Sequence, residues 1–264
     1  MNYSVLDGPE ILAAVFHPRR EMGPEQTKSN ATDHLIEVEP GIHVGARFHV
    51  ASENGANLLY FHGNGEIVAD YDQLAPLYNN LDINLLAVDY RGYGRSTGSP
   101  SISAMMADCH ILFRYACHWL SGNNHTGPLV VMGRSLGSAS ALELAAAHAD
   151  EIHALIIESG FAYAMPLLKL LGVDTDRIGP NGENVFDNME KIKKYRGPTL
   201  VIHAEYDHII PYSDGMALFK ASTAQDKSLL KIENANHNDI FFQGLDAYMQ
   251  AIQRLVGRIR SSHR

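Results

Sequence analysis

The chain reads as an α/β fold, a mostly parallel sheet with helices on both faces and an antiparallel hairpin at its start. Three observations predict this. Apolar runs near 57–61, 83–89, 129–132, 152–158 and 198–203 have the length of buried strands. Stretches with helical patterning lie between them, and strand–helix–strand alternation implies right-handed crossovers and a parallel sheet covered on both sides. Finally, no repeat, low-complexity segment or long linker divides the 264 residues, so 1–264 is expected to be a single domain.

Bulk properties narrow the class. At 45% hydrophobic and 19% charged the composition is that of a soluble globular protein. A net charge of −9 argues against nucleic-acid or anionic-membrane partners. Cys109 and Cys117 lie eight apart in a helical pattern, which suits buried thiols in a reducing compartment better than a disulfide. Neither a signal peptide nor an apolar run of transmembrane length is visible, so a cytoplasmic location is the expectation. Nothing in the sequence fixes the oligomeric state.

Taken in order, Ile11–Phe16 suits a short helix or strand ended by Pro18, and Arg19–Thr32 is polar and loop-like. Leu35–Val38 and Ile42–Val50 flank Pro40-Gly41, which predicts the hairpin. The strand at Asn57–Phe61 runs into the loop His62-Gly63-Asn64-Gly65, and Ala69–Leu81 reads as a helix. The strand at 83–89 leads to Tyr90-Arg91-Gly92-Tyr93-Gly94-Arg95-Ser96, then to a helix from Ser101, a candidate cap, to Leu120. After the strands at 129–132 and 152–158, residues 159–196 read as helices and loops, with a turn at Gly179-Pro180-Asn181-Gly182. A strand at 198–203, a helix at 214–222, a short strand at 228–232 and an amphipathic helix at 239–259 complete the chain.

Leu129-Val130-Val131-Met132 enters Gly133-Arg134-Ser135-Leu136-Gly137 and then an Ala-rich helix. A strand, a tight turn and a helix, with glycines either side of a serine, lift the hydroxyl out of the fold and aim the helix N–H groups at it. Ligands gather at strand carboxyl ends in such sheets. Two further loops at such ends carry Asp207, in Tyr206-Asp207-His208-Ile209-Ile210-Pro211, and His237, in Asn236-His237-Asn238. A serine is a poor nucleophile until an imidazole takes its proton, and the imidazole needs a carboxylate to fix its tautomer. Ser135 is thus the candidate nucleophile, His237 the base and Asp207 the orienting carboxylate, in the chain order this architecture uses. Backbone N–H groups of Asn64 and Leu136 are the candidate oxyanion donors.

These five blocks, spread over residues 57–240, resemble the α/β-hydrolase superfamily, in the group called serine aminopeptidase S33-like or BEM46-like. The resemblance implies the α/β-hydrolase fold and acyl transfer through an acyl-serine, with no metal and no organic cofactor. It implies a small-molecule or acyl substrate without naming one, since related enzymes include esterases, thioesterases, depalmitoylating enzymes and peptidases. It also puts the lid position at about 159–196, too short for more than a small cap. Phe161, Met165 and Ile210 are candidates for the substrate pocket, with Tyr163, Leu167 and Leu168 beside the first two.

Competing readings are few. An S33-type peptidase would have to expel an amine and recognise a chain terminus, and no acidic cluster for that is visible. A non-enzymatic binding module on the same fold typically lacks the serine or the histidine, and both are here. Asp214 and Glu205 compete with Asp207, and His208 with His237. His62 is read as shaping the oxyanion loop, Asp89 and Arg91 as tying loops together, and Arg134 as supporting its neighbours. The Cys109-His110 and Cys117-His118 pairs on one helix do not make a tetrahedral metal site unaided.

Overall fold

The computed structural model describes residues 2–22, 31–178 and 186–263. Its strands are β1 (Ala31–Glu39), β2 (Ile42–His49), β3 (Ala56–Phe61), β4 (Ile83–Val88), β5 (Leu129–Arg134), β6 (Ala154–Glu158), β7 (Thr199–Ala204) and β8 (Lys227–Ile232). The helices are α1 (Pro9–Val15), α2 (Ala75–Asn79), α3 (Ile102–Gly122), α4 (Gly137–Ala147), α5 (Ala164–Leu170), α6 (Asn188–Lys194), α7 (Tyr212–Ala221) and α8 (Ile240–His263). The strands form one sheet in the order β1-β2-β4-β3-β5-β6-β7-β8. Strands β1, β2 and β4 pair antiparallel in succession, and every pairing from β4 to β8 is parallel.

The period-2 alternation of the strands sorts the core onto two faces. Leu59, Phe61, Val88, Val131 and Ile157 point to the face covered by α3 and α4. Leu58, Tyr60, Ala87, Val130 and Ile156 point to the other, covered by α2 and α8. Burial on both faces explains why these strands read as continuous apolar runs rather than alternating ones.

The order also creates the site. From β3 the chain steps to one neighbour, β4, and then crosses to the other, β5. At such a reversal the connections leave in opposite directions and open a crevice at the strands' carboxyl ends. The loops after β3 and β5 both border it.

The hairpin is formed as expected, with Glu39 paired to Ile42 around Pro40-Gly41. Gly41 has φ 77°, the left-handed value that the position after the proline requires. Its first strand begins at Ala31, inside the stretch expected to be loop. Arg47 on β2 is 1% exposed and bonded to three carboxylates. It meets Asp33 of β1 at 2.5 and 3.0 Å, Glu21 at 3.0 Å and Asp72 at 3.2 Å.

Elsewhere the expectations need adjusting. Ile11–Val15 is helical and Phe16 follows the helix in extended conformation, with Pro9 in the first turn where no N–H is missed. The helix expected over 69–81 is a 3-10 turn at Val68–Asp72 and the short α2. Pro76 accounts for the break, since it can begin a helix but not continue one. Ser101 caps α3 as expected, its hydroxyl accepting from the Ala104 N–H at 3.1 Å. The helix α8 is interrupted at Gly244 (φ −142°, ψ 28°), where the backbone runs against Ile232. The expected turn at 179–182 lies outside the described residues. Among the described residues no helix is long and apolar enough to cross a membrane.

Candidate active site

Strand β5 passes into α4 through a single residue in left-handed conformation, Ser135, with φ 51°. A non-glycine residue there is strained, and the strain is held by close packing on both sides. A side chain on Gly133 would overlap the backbone of Gly137, and one on Gly137 would overlap the Phe61 carbonyl of β3. The two glycines of the motif therefore let strand and helix touch. The turn is tied to β6 by the Ser135 N–H, which donates to the Glu158 carbonyl at 2.8 Å, and bonded from within by the Ser138 hydroxyl, which donates to the Ser135 carbonyl at 2.6 Å.

The loops after β7 and β8 converge on this serine. His237 Nε2 lies 2.9 Å from Ser135 Oγ, and His237 Nδ1 lies 2.7 Å from Asp207 Oδ2. Nδ1 facing a carboxylate makes it the protonated nitrogen of a neutral ring, which leaves Nε2 to accept from the serine hydroxyl. Asp207 is fixed through its other oxygen, which accepts from the N–H groups of Ile209 at 3.0 Å and Ile210 at 2.8 Å. Burial alone would raise its pKa; the His237 hydrogen bond and the Ile210 N–H help to outweigh burial and hold it below the usual carboxylate range.

The competing residues go elsewhere. Asp214 accepts from the Ala162 N–H at 2.9 Å, Glu205 pairs with Lys231 at 2.7 Å, and His208 is exposed. His62 is fully buried, with its ring nitrogens 2.8 Å from the Gly63 carbonyl and 3.1 Å from Asp89 Oδ1. It braces the loop, as expected, and Asp89 also accepts from the Val68 N–H at 3.0 Å. Arg91 ties its loop to α3 through Asp108, at 2.7 and 2.8 Å.

Asn64, Ser135 and Leu136 all line a cavity of about 300 Å³. The Asn64 side chain is itself clamped. Its Oδ1 accepts from the His17 N–H at 2.9 Å and the Tyr93 hydroxyl at 2.7 Å, and its Nδ2 donates to His17 Nδ1 at 2.7 Å. Its apolar lining includes Phe161 and Ile210, with Leu167 and Leu168 of α5. Met165 does not line the cavity; it packs against the core, and Tyr163 is exposed. Helix geometry gives the reason. Ala164, Leu167, Leu168 and Leu171 share one face at spacings of three and four, and position 165 is turned about 100° from position 164.

The sequence reading missed Val15 and His17, which reach the cavity from ahead of the sheet. No local signal marks them, because their contacts cross about fifty residues of chain. It also missed the partners of Arg134. The guanidinium donates to Glu66 Oε1, to Glu158 Oε1 at 3.1 Å and to the His237 carbonyl at 2.8 Å. Glu66 Oε2 in turn accepts from the Gly63 N–H at 2.8 Å, and Glu158 Oε2 from the Tyr248 hydroxyl at 2.6 Å.

A doubly flanked parallel sheet with a serine at the strand–helix turn, facing the ends of the next strands, defines the α/β-hydrolase class. Residues 52–174 match the family model described as serine aminopeptidase, S33. The chain is 31% identical over 206 residues to Protein bem46 of Schizosaccharomyces pombe, covering 76% of this chain and 67% of that one. It is 29% identical to the human alpha/beta hydrolase domain-containing protein 17B, covering 76% and 66%. It thus spans about two thirds of the length of these curated relatives. Among solved structures, an esterase of Pyrococcus furiosus superposes with TM-score 0.71 at 15% identity, over 91% of this chain and 98% of that one. The chain belongs to the α/β-hydrolases, in the BEM46-like group.

Proposed function

We propose that this protein is a serine hydrolase that cleaves carboxylic ester or thioester bonds through an acyl-serine. The observation that supports this most directly is the unbroken hydrogen-bonded path from Ser135 through His237 to Asp207, opening on a cavity that is polar at the serine and apolar beyond it. The apolar wall suits an acyl group, and the polar end suits the carbonyl.

Ser135 Oγ attacks the carbonyl carbon as its proton passes to His237 Nε2. The resulting oxyanion accepts hydrogen bonds from the N–H groups of Leu136 and Asn64, and Asp207 stabilises the imidazolium. His237 then protonates the departing alcohol or thiol. Water enters, gives its proton to His237 and releases the carboxylic acid, with Ser135 restored.

The test is fluorophosphonate labelling of the wild type and of Ser135→Ala, read by intact mass, with p-nitrophenyl ester turnover over acyl lengths from acetate to palmitate. One adduct on the wild type, none on the variant, and ester turnover are expected. No adduct on folded wild type would overturn the proposal. Turnover of peptide anilides without ester turnover would replace it with a peptidase.

A further inference from the structure

Arg134 occupies the variable position of the Gly-x-Ser-x-Gly turn and is 8% exposed although it borders the cavity. A cation there invites the reading of an anchor for an anionic substrate. The hydrogen bonds argue otherwise, because Nε, Nη1 and Nη2 each already donate to a protein acceptor. Those acceptors sit on two loops and the end of a neighbouring strand. Glu66 closes the loop after β3, Glu158 ends β6, and the His237 carbonyl belongs to the loop after β8.

We propose that Arg134 is a positioning residue that locks the oxyanion loop and the loop of the base into one unit. This rests on the serine-hydrolase reading above. On one side the guanidinium fixes Glu66, whose second oxygen holds the Gly63 N–H, one residue before Asn64. On the other it fixes the main chain of His237, while that residue's ring is fixed by Asp207 and Ser135. His237 is therefore held from both ends, and the donor at Asn64 is registered to it through one planar group. The space is closed around this group, since a side chain on Gly63 would run into Arg134.

The charges are consistent with the arrangement. Burial would raise Glu66, but Arg134 foremost, then Tyr71, His62 and the Gly63 N–H, bring it below its ordinary range. Burial wins at Glu158 and lifts it above that range. Arg134 opposes burial at both carboxylates, and at Glu66 it prevails with the help of the other donors. Lysine could not substitute, being a point charge that cannot span three acceptors in one plane.

The test compares wild type, Arg134→Lys, Arg134→Met, Glu66→Gln and the Arg134→Met/Glu66→Gln double variant on p-nitrophenyl butyrate. The His237 Nδ1–H proton is followed by NMR, with Asp207→Asn as the control for its assignment. For Arg134→Met, kcat is expected to fall about 10²-fold with KM within about threefold, the loss typical of a misplaced catalytic group. The Nδ1–H signal should broaden or disappear, Arg134→Lys should recover only a minor part of kcat, and Glu66→Gln should add little to Arg134→Met. Wild-type kcat in folded Arg134→Met, full rescue by lysine, or losses that simply multiply in the double variant would overturn the proposal. If Arg134→Met does not fold, Glu66→Gln carries the test: unchanged kcat and an unchanged Nδ1–H signal would overturn it. Wild type that neither turns over ester nor takes the fluorophosphonate would instead overturn the hydrolase reading, and the NMR comparison would still decide whether Arg134 orders His237.

Discussion

Arg47 and Arg134 are both buried guanidiniums surrounded by carboxylates, and they hold different kinds of structure. Arg47 is on a strand and its partners Asp33, Glu21 and Asp72 lie on the neighbouring strand and on flanking segments. Arg134 is at a strand's end, and its partners lie on two loops and on the end of β6, at the carboxyl edge of the sheet. In both, burial favours the neutral form and the carboxylates outweigh it, so both stay charged. A buried ion pair is weak evidence for stability and removing one partner is strongly destabilising. What differs is what is expected to move when the cation goes: at the hairpin the register of two strands, at the site the spacing of the loops that carry Asn64 and His237.

The contrast can be broken or sharpened by experiment. The largest effect is expected at the site itself. Asp207→Asn should lower kcat on p-nitrophenyl butyrate by about 10³- to 10⁴-fold, because the ring loses the partner that sets its tautomer. Its melting temperature should move by no more than a few degrees, and a loss of kcat that merely tracked unfolding would erase the contrast. Arg47→Met should do the reverse. Leaving three carboxylates around an empty centre costs about 3–5 kcal/mol, a fall in melting temperature of roughly 10 °C by scanning calorimetry. The folded fraction should keep kcat within about twofold of wild type, far less than Asp207→Asn loses.

A third cluster, remote from both, tests the contrast through pH. Burial would raise Glu143, but His110, Lys191 and Tyr3 overcome it and hold its pKa at about 2, against an ordinary value of 4.5. Because the folded value is depressed, the stabilisation is complete above pH 4.5 and is lost as pH falls towards about 2. Melting curves over that window should steepen in the wild type and flatten in Glu143→Gln, whereas kcat near neutrality should not change. The smallest effect is expected at Tyr248→Phe. It removes one hydrogen bond to Glu158 and should cost about 1 kcal/mol in urea denaturation, with kcat nearly intact.

How legible each part was follows from how local its cause is. The parallel sheet, the hairpin and the Ser135 turn are fixed by patterns a few residues long, and they were read correctly. Asp207 and His237 could be named because their loops follow strands, but nothing in the sequence brings His237 within 2.7 Å of Asp207 and 2.9 Å of Ser135; the sheet order does that. The break before Pro76 was visible in the sequence and was passed over in favour of the apolar pattern around it. Met165 was misjudged because helical phase decides whether a residue faces a cavity, and phase depends on where α5 begins. The partners of Arg134 lie 68, 24 and 103 residues away, and no pairing rule over such separations exists in a single sequence.

Val15 and His17 enclose the cavity from a segment that precedes the first strand. That placement separates two tasks a designer would otherwise have to solve together. The proposed reacting groups hang on the loops at the strand ends, where any shift in register is felt at once. This part of the wall hangs on a short surface helix that no strand depends on for pairing. Under the proposed function, a combinatorial library confined to residues 9–15 would retune which acyl group is accepted while His17, which clamps Asn64, stays in place.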